Sequence, residues 1–227
     1  MACDIHIFAE VRKDGRWEKV GHVFPNPNHR PDEPESDWNR SRTDQPYLGS
    51  NYDVFAVLAD VRNGYGVAGV PTGRGFNPIA YPRGVPADAS PEYREYAAAW
   101  EQTGYPCHSH SWLTLRELLD YNWAGQSTIV YGPKTALERD YEHVVRTGTP
   151  PPPRMITEVA FVEVLTPGEY EDMLESGTRE VGKRYAICEP LEMTYLECAR
   201  DFVEGTLPEL GKLGAPEDVR IVFFFDN

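Results

Sequence analysis

The sequence predicts an α+β fold: a mainly antiparallel sheet that includes the N- and C-terminal strands, flanked by helices and joined by long Pro/Gly-rich loops. Three observations carry this expectation. CDIHIFAEVR alternates, with Cys3, Ile5, Ile7, Ala9 and Val11 on one face and Asp4, His6, Phe8 and Glu10 on the other. VRIVFFFD, at the far end, is too continuously apolar for an edge and reads as a central strand covered on both faces. Between the two, hairpin signals are mixed with helix-opening signals.

Taken in order, Asp14-Gly15 in KDGR is a hairpin turn, and WEKVGHVF returns as the second strand. From Pro25 to Pro46 the chain is polar and proline-rich and reads as a long loop, of a length that often belongs to functional lids. Trp38 lies exposed within it unless it covers something. NYDVFAVLADVRNG sets Val54, Leu58 and Val61 at helical spacing, with Asn63-Gly64 as the stop; Phe55, Leu58 and Leu118 belong to the core. Ser90 caps a second helix with Pro91 at its first position, running to Gly104. In SWLTLRELLDY, Thr114 and Glu117 form a capping box.

QSTIVYG then predicts a strand, PKTALERDYEHVVRTG a helix opened by Pro133, and Pro150–Pro153 a stiff extended linker. Beyond it come a strand (ITEVAFVEVL), a helix after Thr166, a strand (RYAICEP), a helix from Leu191 to Glu204 and the last strand. The expectation is a single domain over residues 1–227, the prolines marking the one place where it would divide.

Apolar residues make up 41% of the chain and charged ones 26%, enough for a substantial core. A net charge of −14 argues against a sequence-independent grip on duplex nucleic acid, which needs many phosphate-neutralising cations. It leaves room for a small anion held in a local arginine pocket. The N-terminus shows no basic and long apolar leader pattern, and no apolar run reaches the ~20 residues of a membrane span. Cys3, Cys107, Cys188 and Cys198 form no C-x-x-C pair, so the expected setting is a reducing cytoplasm with free thiols.

Two histidine clusters stand out in a chain with six histidines. In CHSHSWLTL, His108 and His110 point the same way if the piece is extended, and Asp4 and His6 share a strand face. Together the four residues offer an N/O set for a divalent metal, as in a metal-dependent phosphoesterase or nuclease. The rest of the two-metal phosphoesterase signature is missing, however, and the plainer reading has these side chains satisfying backbone groups or bonding across the sheet. Cys107 beside His108 is adjacency in the chain, not a catalytic geometry.

The arginines form a series. Arg62-Asn63-Gly64, Gly73-Arg74-Gly75 and Pro82-Arg83-Gly84 each set a guanidinium beside glycine or proline in irregular backbone, the parts that phosphate recognition uses. The competing reading pairs these arginines with acids such as Asp53, Asp60 and Asp88 in a chain of 36 carboxylates. Tyr52, Tyr65, Phe76, Tyr81, Trp112 and Trp38 accompany them, and such rings either stack on a base or fill the core.

MACDIH, NYDVFAVLADVRNG, YPRGVPADAS, HSHSWLTLREL and the closing VRIVFFFDN, in that order, resemble a family of tailed-bacteriophage and prophage proteins across nearly the whole chain. No catalytic residue carries over from this resemblance. It implies an anti-defence "sponge" that binds and sequesters a nucleotide immune signal without cleaving it, in the host bacterial cytoplasm. In that reading Arg62, Arg74 and Arg83, with Asn63, take phosphates. His108, Ser109 and His110 hydrogen-bond phosphate or ribose, and Tyr52 or Trp38 stacks on the base. No cofactor is expected, and self-association stays open. The alternatives are the metal enzyme built on Asp4, His6, His108 and His110, and an acidic inhibitor that binds a host factor.

Overall fold

The first and last strands meet in the middle of one sheet. In the computed structural model, which describes residues 3–36, 39–66, 69, 71–131, 136–137, 162–181, 183–188 and 190–226, β1 (Asp4–Lys13) pairs antiparallel with β11 (Val219–Asp226). Their register runs from Asp4↔Asp226 to Val11↔Val219. With β2 (Arg16–Lys19) and β5 (Cys107–Thr114) they form a four-stranded sheet in the order β2-β1-β11-β5. The fold is α+β.

β11 is buried at every position but Asp226, so both sheet faces need a cover. Ile221, Phe223 and Phe225 pack with Ile5, Ile7 and Ala9 against α1 (Tyr52–Ala59), whose residues from Val54 to Ala59 are all buried. Phe8, Val222 and Phe224 line the opposite face, covered by Tyr93 and Ala97 of α2 (Pro91–Gln102). On that second face Arg220 and its cross-strand partner Glu10 are buried together, the guanidinium donating to Glu10 Oε2 at 2.7 Å. Glu10 Oε1 accepts the N–H of Ser90, the N-cap of α2, so the ion pair fixes where that helix begins. Arg220 also bonds Asp88 and lies 4.0 Å from the Trp17 ring centroid. Each charge is thus compensated, as burial demands.

Threonine repeatedly converts strand into helix. Thr114, Thr166 and Thr194 open α3 (Leu115–Asp120), α4 (Pro167–Ser176) and α5 (Tyr195–Cys198), each closed by a reciprocal bond with a glutamate three residues on. Each cap is worth about 1 kcal/mol. The remaining strands make small sheets: β6 (Ser127–Tyr131) with β10 (Pro190–Thr194), β3 (Phe24–Pro25) with β4 (Arg42–Thr43), and β9 (Arg184–Ile187) between β7 (Ala136–Leu137) and β8 (Val162–Leu165). A π-helical turn over Asp201–Thr206 leads into α6 (Leu207–Gly211).

Several sequence expectations are corrected. The second strand stops at Lys19, and Phe24 pairs instead with Thr43. α1 ends at Asp60, which takes a left-handed conformation (φ 60), rather than at Asn63-Gly64. Ala136–Leu137 is strand, not helix; the rest of the segment opened by Pro133, and Pro150–Pro153, lie outside the described residues. Residues 191–194 are strand, because the capping box at Thr194 delays the helix to Tyr195. The 25–46 loop is organised by the buried Asn39, whose amide donates to the carbonyls of Arg30, Glu33 and Pro34 and accepts the Arg30 N–H. No helix among the described residues is long and apolar enough to cross a membrane.

One carboxylate opposes this frame. Asp53 lies in the first turn of α1, where the helix dipole favours its charge by about 0.3–1 kcal/mol. Burial, and then the charge of Asp201, push its carboxyl from 3.8 up to about 6. The unfolded chain ionises first, so stability falls as pH rises through that window and the loss is complete above it. Asp53→Asn should raise the unfolding free energy at pH 7 by on the order of 2 kcal/mol and leave it unchanged near pH 3.5, as read by urea denaturation.

Candidate functional site

The chain leaving α1 builds a cleft. Asp60 and Arg62 both adopt left-handed backbone, φ 60 and φ 54, a conformation that costs a non-glycine residue roughly 1–2 kcal/mol. Asn63 then pins the returning loop: its amide donates to Asp60 Oδ1 (2.6 Å) and to the Phe76 carbonyl (2.8 Å), while its Oδ1 accepts the Phe76 N–H (2.6 Å). Residues 72–75 lie along the edge of β6. The Arg74 N–H donates to Ile129, the Tyr131 N–H to Thr72, and the Thr128 hydroxyl to Gly75.

The glycines of Gly73-Arg74-Gly75 are explained by this close approach. A Cβ on Gly73 would sit 2.3 Å from the Ile129 carbonyl oxygen, and one on Gly75 would sit 2.7 Å from Asn63 Oδ1. Gly73 lets two backbones touch at the sheet edge, and Gly75 leaves room for the Asn63 side chain.

The resulting cleft, about 620 Å³, is lined by Asp60, Arg62, Asn63, Tyr65, Gly69, Arg74, Gly75, Phe76, Asn77 and Tyr195. Arg62 lines it while its guanidinium lies 5.7 Å from the Tyr52 ring centroid. Tyr52 therefore acts behind Arg62, and its hydroxyl accepts the Cys3 N–H at 2.8 Å. Arg74 is exposed, and among the described residues no carboxylate is paired with it. Phe76 and Tyr195 are buried in the floor, whereas Tyr65 is 52% exposed and offers a ring face.

Of the residues singled out in the sequence, Arg62, Asn63 and Arg74 meet here, together with Asp60, Tyr65 and Phe76. Arg83, His108, Ser109 and His110 do not line this cleft. Arg83 is bound by Glu117 through both terminal nitrogens (2.6 and 3.2 Å) and lies over the Trp112 ring, so its guanidinium is already neutralised. The neighbouring Gly84 N–H donates to His110 O, which ties this loop to the outer edge of β5. Trp38 lies outside the described residues. Asn77 and Tyr195 escaped the sequence reading; a helix started too early at Leu191 hid the capping box that delivers Tyr195.

The histidines need the largest correction. HSHS is extended, but Ser109 (φ 54) is a bulge in the strand, so the two histidines do not point the same way: β5 advances from His108 to Ser111 while β11 advances only from Phe225 to Phe223. His108 therefore stacks on Phe225 and His110 packs on Phe224, on opposite faces of the sheet. His6 also packs on Phe224, its Nδ1 accepting the Trp100 indole N–H at 2.8 Å and its Nε2 facing Asp226 at 3.2 Å. Burial holds both His6 and His110 below their ordinary values. Asp4 accepts the Ser50 hydroxyl. Among the described residues no group of three or more His, Cys, Asp or Glu side chains is placed to hold a metal ion, and the Asp4–His6–His108–His110 set does not converge. Burial raises the Cys107 thiol, with Asp226 and Glu101 adding to the shift, the reverse of an activated nucleophile.

No protein-family model matches this chain, and no curated protein or solved structure does either.

The loop-on-strand contact sets an expectation for the cleft wall. Gly73→Ala should lower stability by about 3 kcal/mol through the clash with Ile129, measured by denaturant unfolding. The exposed Gly21→Ala, with nothing near its Cβ, serves as the silent control.

Proposed function

We propose that this protein binds a small anionic ligand of nucleotide type in the Arg62–Arg74 cleft and holds it without converting it. The observation that carries the reading is that the exposed Arg74 lines one cleft with Arg62 in a chain of net charge −14. Guanidinium forks suit phosphate oxygens, and a volume of about 620 Å³ falls within the range of small-molecule sites. The exposed Tyr65 ring supplies a stacking surface for a base. The resemblance to phage proteins gives the retention a purpose, which is keeping a nucleotide immune signal from the host.

Thermal denaturation with ADP as the probe tests this. Wild type should gain stability with rising ADP, by about 2.7 kcal/mol when the ligand reaches a hundred times Kd. Arg74→Ala should weaken ADP at least about tenfold, the loss of one charge-assisted contact. Arg83→Ala should lower the melting temperature but leave the ADP response intact, because that arginine serves Glu117. ADP recovered unchanged after incubation supports holding; hydrolysis of ADP, or an Arg74→Ala response equal to wild type, overturns the reading.

A further inference from the structure

His6 sits where the sheet meets the end of α2, and its hydrogen bonds fix its tautomer. Its Nδ1 accepts the Trp100 indole N–H at 2.8 Å. An indole nitrogen only donates, so Nδ1 carries no proton and the ring proton lies on Nε2, 3.2 Å from Asp226 Oδ2. The Tyr96 hydroxyl also faces Nδ1, at 2.9 Å. Trp100 meets the imidazole edge-on, with ring centroids 4.6 Å apart, and the imidazole stacks on Phe224. The helix whose buried residues are Tyr93 and Ala97 is thus fastened, in its last turn, to a titratable acceptor on β1.

A second ring proton inverts this contact. It turns Nδ1 into a donor that faces the Trp100 N–H, and the indole cannot reverse its role. The Tyr96 hydroxyl can, because its oxygen accepts as well as donates. The charged ring therefore keeps Tyr96 and gives up Trp100. Burial opposes that charge and outweighs Asp226 and Asp4, which favour it, so His6 is held below its ordinary 6.5. Burial, then Asp44, Asp226 and the Cys107 thiol, push the Tyr96 hydroxyl up to about 12, so it keeps its own proton throughout. Glu101 of α2 faces His110 of β5 at 3.6 Å, with His108 opposing the charging of His110. Glu101 is 63% exposed, so that pair holds the helix end only weakly.

We propose that His6 is an acid-operated latch on α2: a proton taken up at Nδ1 releases the Trp100 indole and with it the last turn of the helix, uncovering part of the Phe224 face of the sheet. The unfolded chain takes up this proton first, so the stability that the latch contributes is full above about 6.5 and is lost as pH falls below it. Asp53 acts with the opposite sign in a neighbouring window, so the latch is read locally rather than from global stability.

Proton–nitrogen NMR of the indole N–H groups between pH 7.5 and 4.5 decides this. In wild type the Trp100 indole and the backbone amides of residues 97–102 should shift together below pH 6.5, while the indoles of Trp17 and Trp123, bonded to Asp88 and to the Leu118 carbonyl, stay in place. His6→Asn keeps an acceptor oxygen and takes up no proton, so its Trp100 indole should not move; His110→Asn should leave the transition intact. Trp100→Phe removes the donor that a proton must displace, so its His6 ring should bind a proton about tenfold more tightly than in wild type, the equivalent of one hydrogen bond. A Trp100 transition that persists in His6→Asn, equal His6 titration in wild type and Trp100→Phe, or simultaneous movement of all the indoles overturns the proposal.

Discussion

A strand with no polar face cannot sit at an edge, and that constraint organises the molecule. β11 places Phe223 and Phe225 toward one side and Val222 and Phe224 toward the other, so the sheet must be coated twice. At about 25 cal/mol per Å² of apolar surface, each buried phenylalanine contributes on the order of 2–3 kcal/mol, which only a helix on each face can secure. α1 supplies one coat and α2 the other. The one fully buried charged pair among the described residues, Glu10 with Arg220, adds little net stability of its own, since desolvation offsets most of the attraction. Its value is positional: through Ser90 and Asp88 it fixes the start of α2.

Because the sheet interior is committed to packing, polar chemistry is displaced to the segment that leaves α1. There the backbone turns left-handed at Asp60 and Arg62, crosses to β6, and returns by way of Asn63. The strain at two non-glycine residues is stored beside the cleft they line, where helices and strands hold the ends of the loop. The histidines, prominent in the sequence, turn out to belong to the other economy. His6 and His110 flank the Phe224 ring as packing groups, with burial favouring their neutral forms.

Much of the frame was legible because it is written in local periodicity. Alternation in β1, continuous apolarity in β11 and the Thr114–Glu117 box are each readable from their own residues. What escaped depends on distant partners. The Ser109 bulge exists only against the register of β11, more than a hundred residues later in the chain, and it alone separates His108 from His110. The pairing of Arg83 with Glu117 is equally non-local, so three arginines that look equivalent in sequence divide into two that line a cleft and one that anchors an edge strand. The GRG motif misleads for a related reason: its glycines answer to the Ile129 carbonyl and the Asn63 amide, and Arg74 brings the one side chain of the motif to the cleft, beside Gly75.

In the proposed function, the cleft lined by Arg62 and Arg74 retains a phosphorylated small molecule. It is tested most directly by boiling freshly purified protein and examining the released molecules by mass spectrometry, wild type beside the charge-reversed Arg74→Glu. Wild type should release an intact phosphorylated nucleoside in near-stoichiometric amount, and Arg74→Glu should release none while melting at about the same temperature. Equal release from both proteins, or no phosphorylated species from either, would contradict it.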